Sequence, residues 1–242
     1  MYRIAKFLDP NHPEAHTVNT TAKLNWLRAS VLGANDGIVS IAGLVLGVAG
    51  ATSHIGIVLA AGIAGILAGA ISMAAGEYVS VSSSRDTEKA LLQKERDELK
   101  NYPEAELEEL ISLYERKGLS KKTATIVAKE LTAKDAFAAH VDIELGIDPE
   151  NLTSPWHAAI ASALAFTIGA IIPIVAIIVP PAQIRIPIAF ISVIIALAIT
   201  GTLSAMVGGA NITRAVTRVV TGGILAMIVT YMIGRIFRIS GI

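Results

Sequence analysis

Five apolar runs, at roughly 28–51, 56–83, 156–179, 186–210 and 215–235, approach the length of about 20 residues that an α-helix needs to cross a bilayer. Nothing else constrains the chain as strongly, because in hydrocarbon every backbone N–H and C=O must find its partner inside the protein, and a continuous helix supplies it. The prediction is an all-α, polytopic membrane protein with five transmembrane helices. With a mean hydropathy of +0.60 and only 17% charged residues, the composition excludes an ordinary soluble domain.

The second run does not stop at the membrane. From Gly65 to Leu99 the sequence passes from small apolar residues to Glu95, Glu98 and their basic neighbours with no helix breaker between, so one helix is expected to leave the bilayer and open a charged domain. Residues 85–150 hold 16 of the 20 acidic and 11 of the 20 basic side chains. This gives four regions: an N-terminal segment 1–27, spans one and two over 28–84, a charged insert 85–150, and spans three to five over 151–242. The acidic surplus of the insert offers no basic surface for nucleic acid. Among the short connections, Arg3, Lys6, Lys23, Arg28, Arg214 and Arg218 fall on one side and Arg185, Arg235 and Arg238 on the other, which places the N-terminus and the insert in the cytoplasm. The polar opening, with Pro10, His12, Pro13 and His16, lacks the apolar core of a signal peptide, so insertion is expected to rely on the first span.

Three helices are legible in the insert. The first ends before Pro103; the second runs from Pro103 to about Lys117 and stops at Gly118. The third starts at Ser120, a favourable N-cap, and continues to about Leu145. Leu107, Leu110, Ile111 and Tyr114 form an apolar stripe whose expected partner is Ile126, Val127 and Leu131. In the spans, Pro173 is expected to kink the third, and Pro180, Pro181 and Pro187 mark the turn into the fourth.

Carboxylates carry the chemistry in two places. Asp36 is the only Asp, Glu, Lys or Arg between Arg28 and Glu77. A charge at that depth is costly unless it faces a protein interior or an aqueous path. Counted from the cytoplasmic ends of their antiparallel spans at ~1.5 Å per residue, Asp36 lies at ~12 Å, Met73 at ~15 Å and Glu77 at ~9 Å, a common level. A carboxylate beside a thioether suits a late first-row divalent ion better than magnesium or calcium. The plainer alternative is that Asp36 bonds a neighbouring helix and Met73 packs in a core. Glycines recurring at intervals of four, such as Gly33 with Gly37 and Gly43 with Gly47, let helices approach closely. In the insert, Glu95 with Glu98 and Glu106 with Glu109 are three apart, and His140 with Glu144 four apart, so each pair shares a helix face. The two glutamate pairs and the Glu144 carboxylate could converge into a cation site, or they could be solvated faces. With no cysteine, ligands must be oxygen, imidazole nitrogen or thioether. The absence of a Glu-x-x-His motif argues against a di-iron ferroxidase, and no enzyme activity or prosthetic group is expected.

LGANDGIVSIAGLVLGVAGA in the first span and GAISMAAGEYVSVSSSRDTE in the second resemble the vacuolar iron transporter family, and the resemblance extends over about 25–238. It implies a homodimeric exporter that moves Fe²⁺, often Mn²⁺, out of the cytosol in exchange for protons. The donor types present leave Zn²⁺ and Co²⁺ as further candidate ions. Asp36 and Met73 fall on the family's transport-path positions. Glu95, Glu98, Glu106, Glu109 and Glu144 fall on its cytoplasmic metal-binding glutamates. Against plant members, Gly65 replaces a membrane glutamate and Glu77 a glycine. His140 and Val141 replace a methionine pair, which makes His140 a candidate ligand; Asn25 and Ala29 replace acidic residues, and Phe166 a tyrosine. The expected setting is a prokaryotic plasma membrane. A membrane-anchored iron buffer or sensor that binds without moving its ion is the alternative.

Overall fold

The computed structural model describes residues 20–239, with side chains from Ser30 to Arg238, and its chain order is helical throughout. The helices are α1 (Thr20–Ala51), α2 (Ile55–Asn101), α3 (Pro103–Arg116), α4 (Lys121–His140), α5 (Pro155–Ile178), α6 (Arg185–Val207) and α7 (Ile212–Ile239), with a π turn at Val141–Leu145 after α4. Five of them, α1, α2, α5, α6 and α7, are long and apolar enough to cross a membrane. The side chains of Arg3, Lys6, Lys23 and Arg28, on which the expected orientation leans, lie outside the described residues, as do Asn25 and Ala29. At 47 residues α2 is about 70 Å long, more than twice the ~30 Å of a hydrocarbon core. Its charged half therefore has to leave the membrane.

The chain divides into two compact units, one of residues 1–73 and 161–242, the other of residues 74–160. The first is built around α1, whose Ile38, Ile41, Ala42, Val45 and Leu46 are buried. Glycines put it there. A Cβ on Gly37 would run into the carbonyl oxygen of Phe166 on α5, and one on Gly33 would meet the carbonyl oxygen of Ser162 at 2.9 Å. On another side, Gly47 and Gly50 face the backbone of Thr230 and Tyr231 on α7, at 3.2 and 2.7 Å. Small residues let backbones touch where lipid supplies no hydrophobic drive, as in other membrane bundles. The large aliphatics point outward, with Ile168, Ile71 and Leu67 at least 60% exposed, a surface suited to hydrocarbon and not to water. Because the Gly37 contact is backbone against Cβ, neither side can yield by rotating a side chain. Gly37→Ala is expected to destabilise the fold by about 1–3 kcal/mol, the usual penalty of overpacking, read as a lower unfolding midpoint of the detergent-solubilised protein.

In the second unit, α3 and α4 pack through Leu110, Ile111, Ala124 and Ala128, with Leu107, Tyr114 and Ile143 beside them. The expected α3 stripe is in place, but its partner is a pair of alanines. Ile126 is 50% exposed, because the close approach of α3 requires small residues on the facing side of α4. Ser120 caps α4, its hydroxyl accepting from the Thr123 N–H at 3.3 Å, and Gly118 ends the preceding turn with a φ of +99°, a conformation that glycine adopts freely. The third helix is not the uninterrupted element its sequence suggests. At Asp135 the backbone leaves helical geometry (φ −164°, ψ 97°) and then resumes.

Candidate metal centre

Three helical segments deliver four ligand-type side chains to one point. Glu95 follows the buried Leu92 by three residues on α2, and Glu106 precedes the buried Leu110 by four on α3, so both carboxylates ride on apolar faces and are carried inward. His140 ends α4 and Glu144 lies on the π turn after it. Glu95 and His140 are 3% and 1% exposed, and Glu106 is also buried. The His140 Nδ1 stands 3.0 Å from the Glu95 carboxylate, 3.7 Å from Glu106 and 3.8 Å from Glu144. Donor atoms sharing one ion at ~2.1 Å stand about 3–4 Å apart, the range in which the three carboxylates lie from the imidazole nitrogen.

The hydrogen bonding says more than the distances. The His140 Nδ1 and Glu95 Oε1 stand within ion-pair distance at 3.0 Å, yet neither has a hydrogen bond among the described residues. Buried polar atoms are seldom left unpaired, since each costs about 1–3 kcal/mol. Two such atoms converging on one space are arranged as a cation needs them. One imidazole nitrogen and three carboxylates form a donor set that suits Fe²⁺, Mn²⁺, Co²⁺ or Zn²⁺ rather than the all-oxygen sites of Mg²⁺ and Ca²⁺.

The remaining glutamates stand at the edge. Glu98 is held by Lys94 at 3.0 Å, and Glu109 is exposed, yet both add to the negative field on Glu95. Burial, then Glu144, Glu106, Glu98 and Glu109 in turn, push the Glu95 carboxyl up to about 7. Burial and Glu109 push Glu106 upward as well, against the opposing pull of His140. A carboxyl whose proton is held more tightly in the folded state contributes stability that is complete below its unfolded value near 4.5 and is lost as the pH rises through about 7. The metal-free protein is therefore expected to show a falling unfolding midpoint between pH 5 and pH 8, and added Mn²⁺ to restore it at pH 8 by occupying the folded state. A midpoint insensitive to both pH and Mn²⁺ would contradict this account of the cluster.

The membrane candidates are placed differently. Asp36 is half-buried on α1, and its carboxylate accepts from the Ser40 hydroxyl one turn later at 2.6 Å. Beside it, Asn35 accepts from Thr200 of α6 at 2.5 Å, an interhelical bond across 165 residues that no sequence pattern announces. Met73 is partly buried against the core around α1, and Glu77, half-buried, lies one turn further along α2. Phe166 is fully within that core.

Residues 27–235 match the model of the VIT family. A protein of Acanthamoeba castellanii named vacuolar iron transporter is 46% identical over 218 residues, 89% of this chain and 80% of that protein. The vacuolar iron transporter homolog 5 of Oryza sativa subsp. japonica is 36% identical over 97% of this chain and 92% of its own length. Vacuolar iron transporter homolog 4 of Arabidopsis thaliana is 36% identical over 93% of this chain and 90% of its own length.

Proposed function

The chain belongs to the VIT family, and on that premise we propose that it exports Fe²⁺, with Mn²⁺ as a second substrate, from the cytosol in exchange for protons. The observation that carries the reading is the buried His140 Nδ1 and Glu95 Oε1, 3.0 Å apart and without hydrogen bonds among the described residues, with Glu144 and Glu106 beside them. It supports a centre that collects a transition-metal ion on the cytoplasmic side, with Glu98 and Glu109 drawing cations toward it. Asp36 and Met73 are the proposed membrane relay, with Glu77 beside them. A carboxylate in a low-dielectric setting favours its neutral form, so it takes up a proton when its cation leaves, and this exchange links the two flows. We place the protein in a plasma membrane as a homodimer, with residues 1–27 and the insert 85–150 in the cytoplasm.

Reconstitution into sealed proteoliposomes tests this directly. Fe²⁺ is expected to accumulate inside against a proton gradient of the right sign, with protons leaving as metal enters. Binding without accumulation would instead favour a buffer or sensor, which the same donor cluster could serve.

A further inference from the structure

We propose that Asp135 is a positioning residue for the metal centre, a reading that rests on the centre described above. α4 is two helices joined at one extended residue, since Asp135 has φ −164° and ψ 97° while its neighbours are helical. Its carboxylate then accepts the N–H of Ala138 at 3.0 Å, the bond by which an N-cap starts a new helix. The sequence from Ala136 onward is thus a separately capped segment. It bears both His140 and Glu144.

The break decides where those two ligands point. Ala124 and Ala128, both at 0% exposure, mark the inward side of the first part of α4. At about 100° per residue, an unbroken helix would carry His140 roughly 160° and Glu144 roughly 200° round from Ala124, onto the far side of the helix. His140 is instead buried against Glu95. The segment is docked by Phe137, whose ring lies 4.4 Å beneath the guanidinium of Arg96, the residue after Glu95. The π turn completes the arrangement: the Gly146 N–H donates to the Val141 carbonyl at 2.8 Å, and the widened turn sets Glu144 3.8 Å from His140. Gly146, at φ +60°, ends the segment in a conformation that few side chains tolerate. Asp135 at one end and Gly146 at the other frame a ligand-bearing segment whose rotational phase is set independently of α4.

The experiment uses the full-length, detergent-purified protein and Mn²⁺ alone, with free Mn²⁺ followed by electron paramagnetic resonance and the fold by circular dichroism. Asp135→Ala and Asp135→Gln, which remove the short cap and favour an unbroken helix, are expected to weaken Mn²⁺ binding about fivefold to tenfold, the factor that a lost cap confers. Asp135→Asn and Asp135→Ser, which can still cap, are expected to stay within about twofold. The Co²⁺ visible spectrum should change in the Ala and Gln variants and hold in the Asn and Ser variants, because it reports whether an imidazole remains in the ligand set. Wild-type affinity in Ala and Gln overturns the proposal, and so does unfolding of both, which would make Asp135 a stability residue alone. A wild-type protein that binds no Mn²⁺ refutes the metal centre itself, a different outcome.

Discussion

Alanine at position 36 is expected to reduce metal-driven proton flux in proteoliposomes by at least about 100-fold, while leaving Mn²⁺ binding at the Glu95–His140 centre unchanged. The magnitude follows from the setting: an ion passing through a low-dielectric span without its counter-charge loses several kcal/mol of stabilisation, and about 3 kcal/mol is already a factor of 100. Asp36 is well held for the role. Ser40 donates to its carboxylate from the next turn, Asn35 is tied to Thr200 on α6, and Gly37 is locked against the Phe166 carbonyl. The carboxylate is nevertheless only half-buried, so it is not sealed into the bundle. Flux in Asp36→Ala within a few-fold of wild type would remove Asp36 from the path.

The second large effect concerns Glu95, and it has two opposite signs. Glu95→Gln keeps the shape of the side chain but removes a ligand charge, so Mn²⁺ affinity is expected to fall about 100-fold. The same substitution should raise the unfolding midpoint of the metal-free protein at pH 8 and leave it nearly unchanged at pH 5. At pH 8 the buried carboxylate is charged among Glu144, Glu106, Glu98 and Glu109, and its Oε1 has no hydrogen bond to lose. At pH 5, below its raised value of about 7, it already carries a proton and resembles glutamine. Binding groups held in an unfavourable state without their ligand trade stability for function in this way. A Gln variant that is destabilised at pH 8 would show that Glu95 serves the scaffold instead.

The five spans were legible because each is a long apolar run, and the length of α2 because nothing between Gly65 and Leu99 breaks a helix. The helix ends at Pro103, Gly118 and Ser120 were legible for the same reason: each is a residue with one strong backbone preference. The cluster was only half legible. Spacing put Glu95 with Glu98 and Glu106 with Glu109 on shared faces but did not say which member turns inward. The apolar neighbours do say it, since Leu92 and Leu110 share a face with Glu95 and Glu106. The convergence of His140 was hidden by the break in α4, for which the one local sign is an aspartate three residues before the N–H it caps. The partner face on α4 differs from the hydrophobic pattern because close packing selects Ala124 and Ala128 where hydrophobicity points to Ile126. The Asn35–Thr200 bond joins residues too far apart for any local pattern to reveal.

The two kinds of glycine contact in the first unit divide it mechanically. Where α1 meets α5 and α7, Gly33, Gly37, Gly47 and Gly50 face carbonyl oxygens and amide nitrogens, so twisting or sliding α1 there drives one main chain into another. Where α2 comes close, Gly62, Gly65 and Gly69 face the tips of Ile174, Leu44 and Phe166, which can swing aside, and only 11% of its apolar stretch is covered. Within the first unit α1 is therefore held main chain to main chain, while residues 55–73 of α2 rest on side-chain tips that can give way.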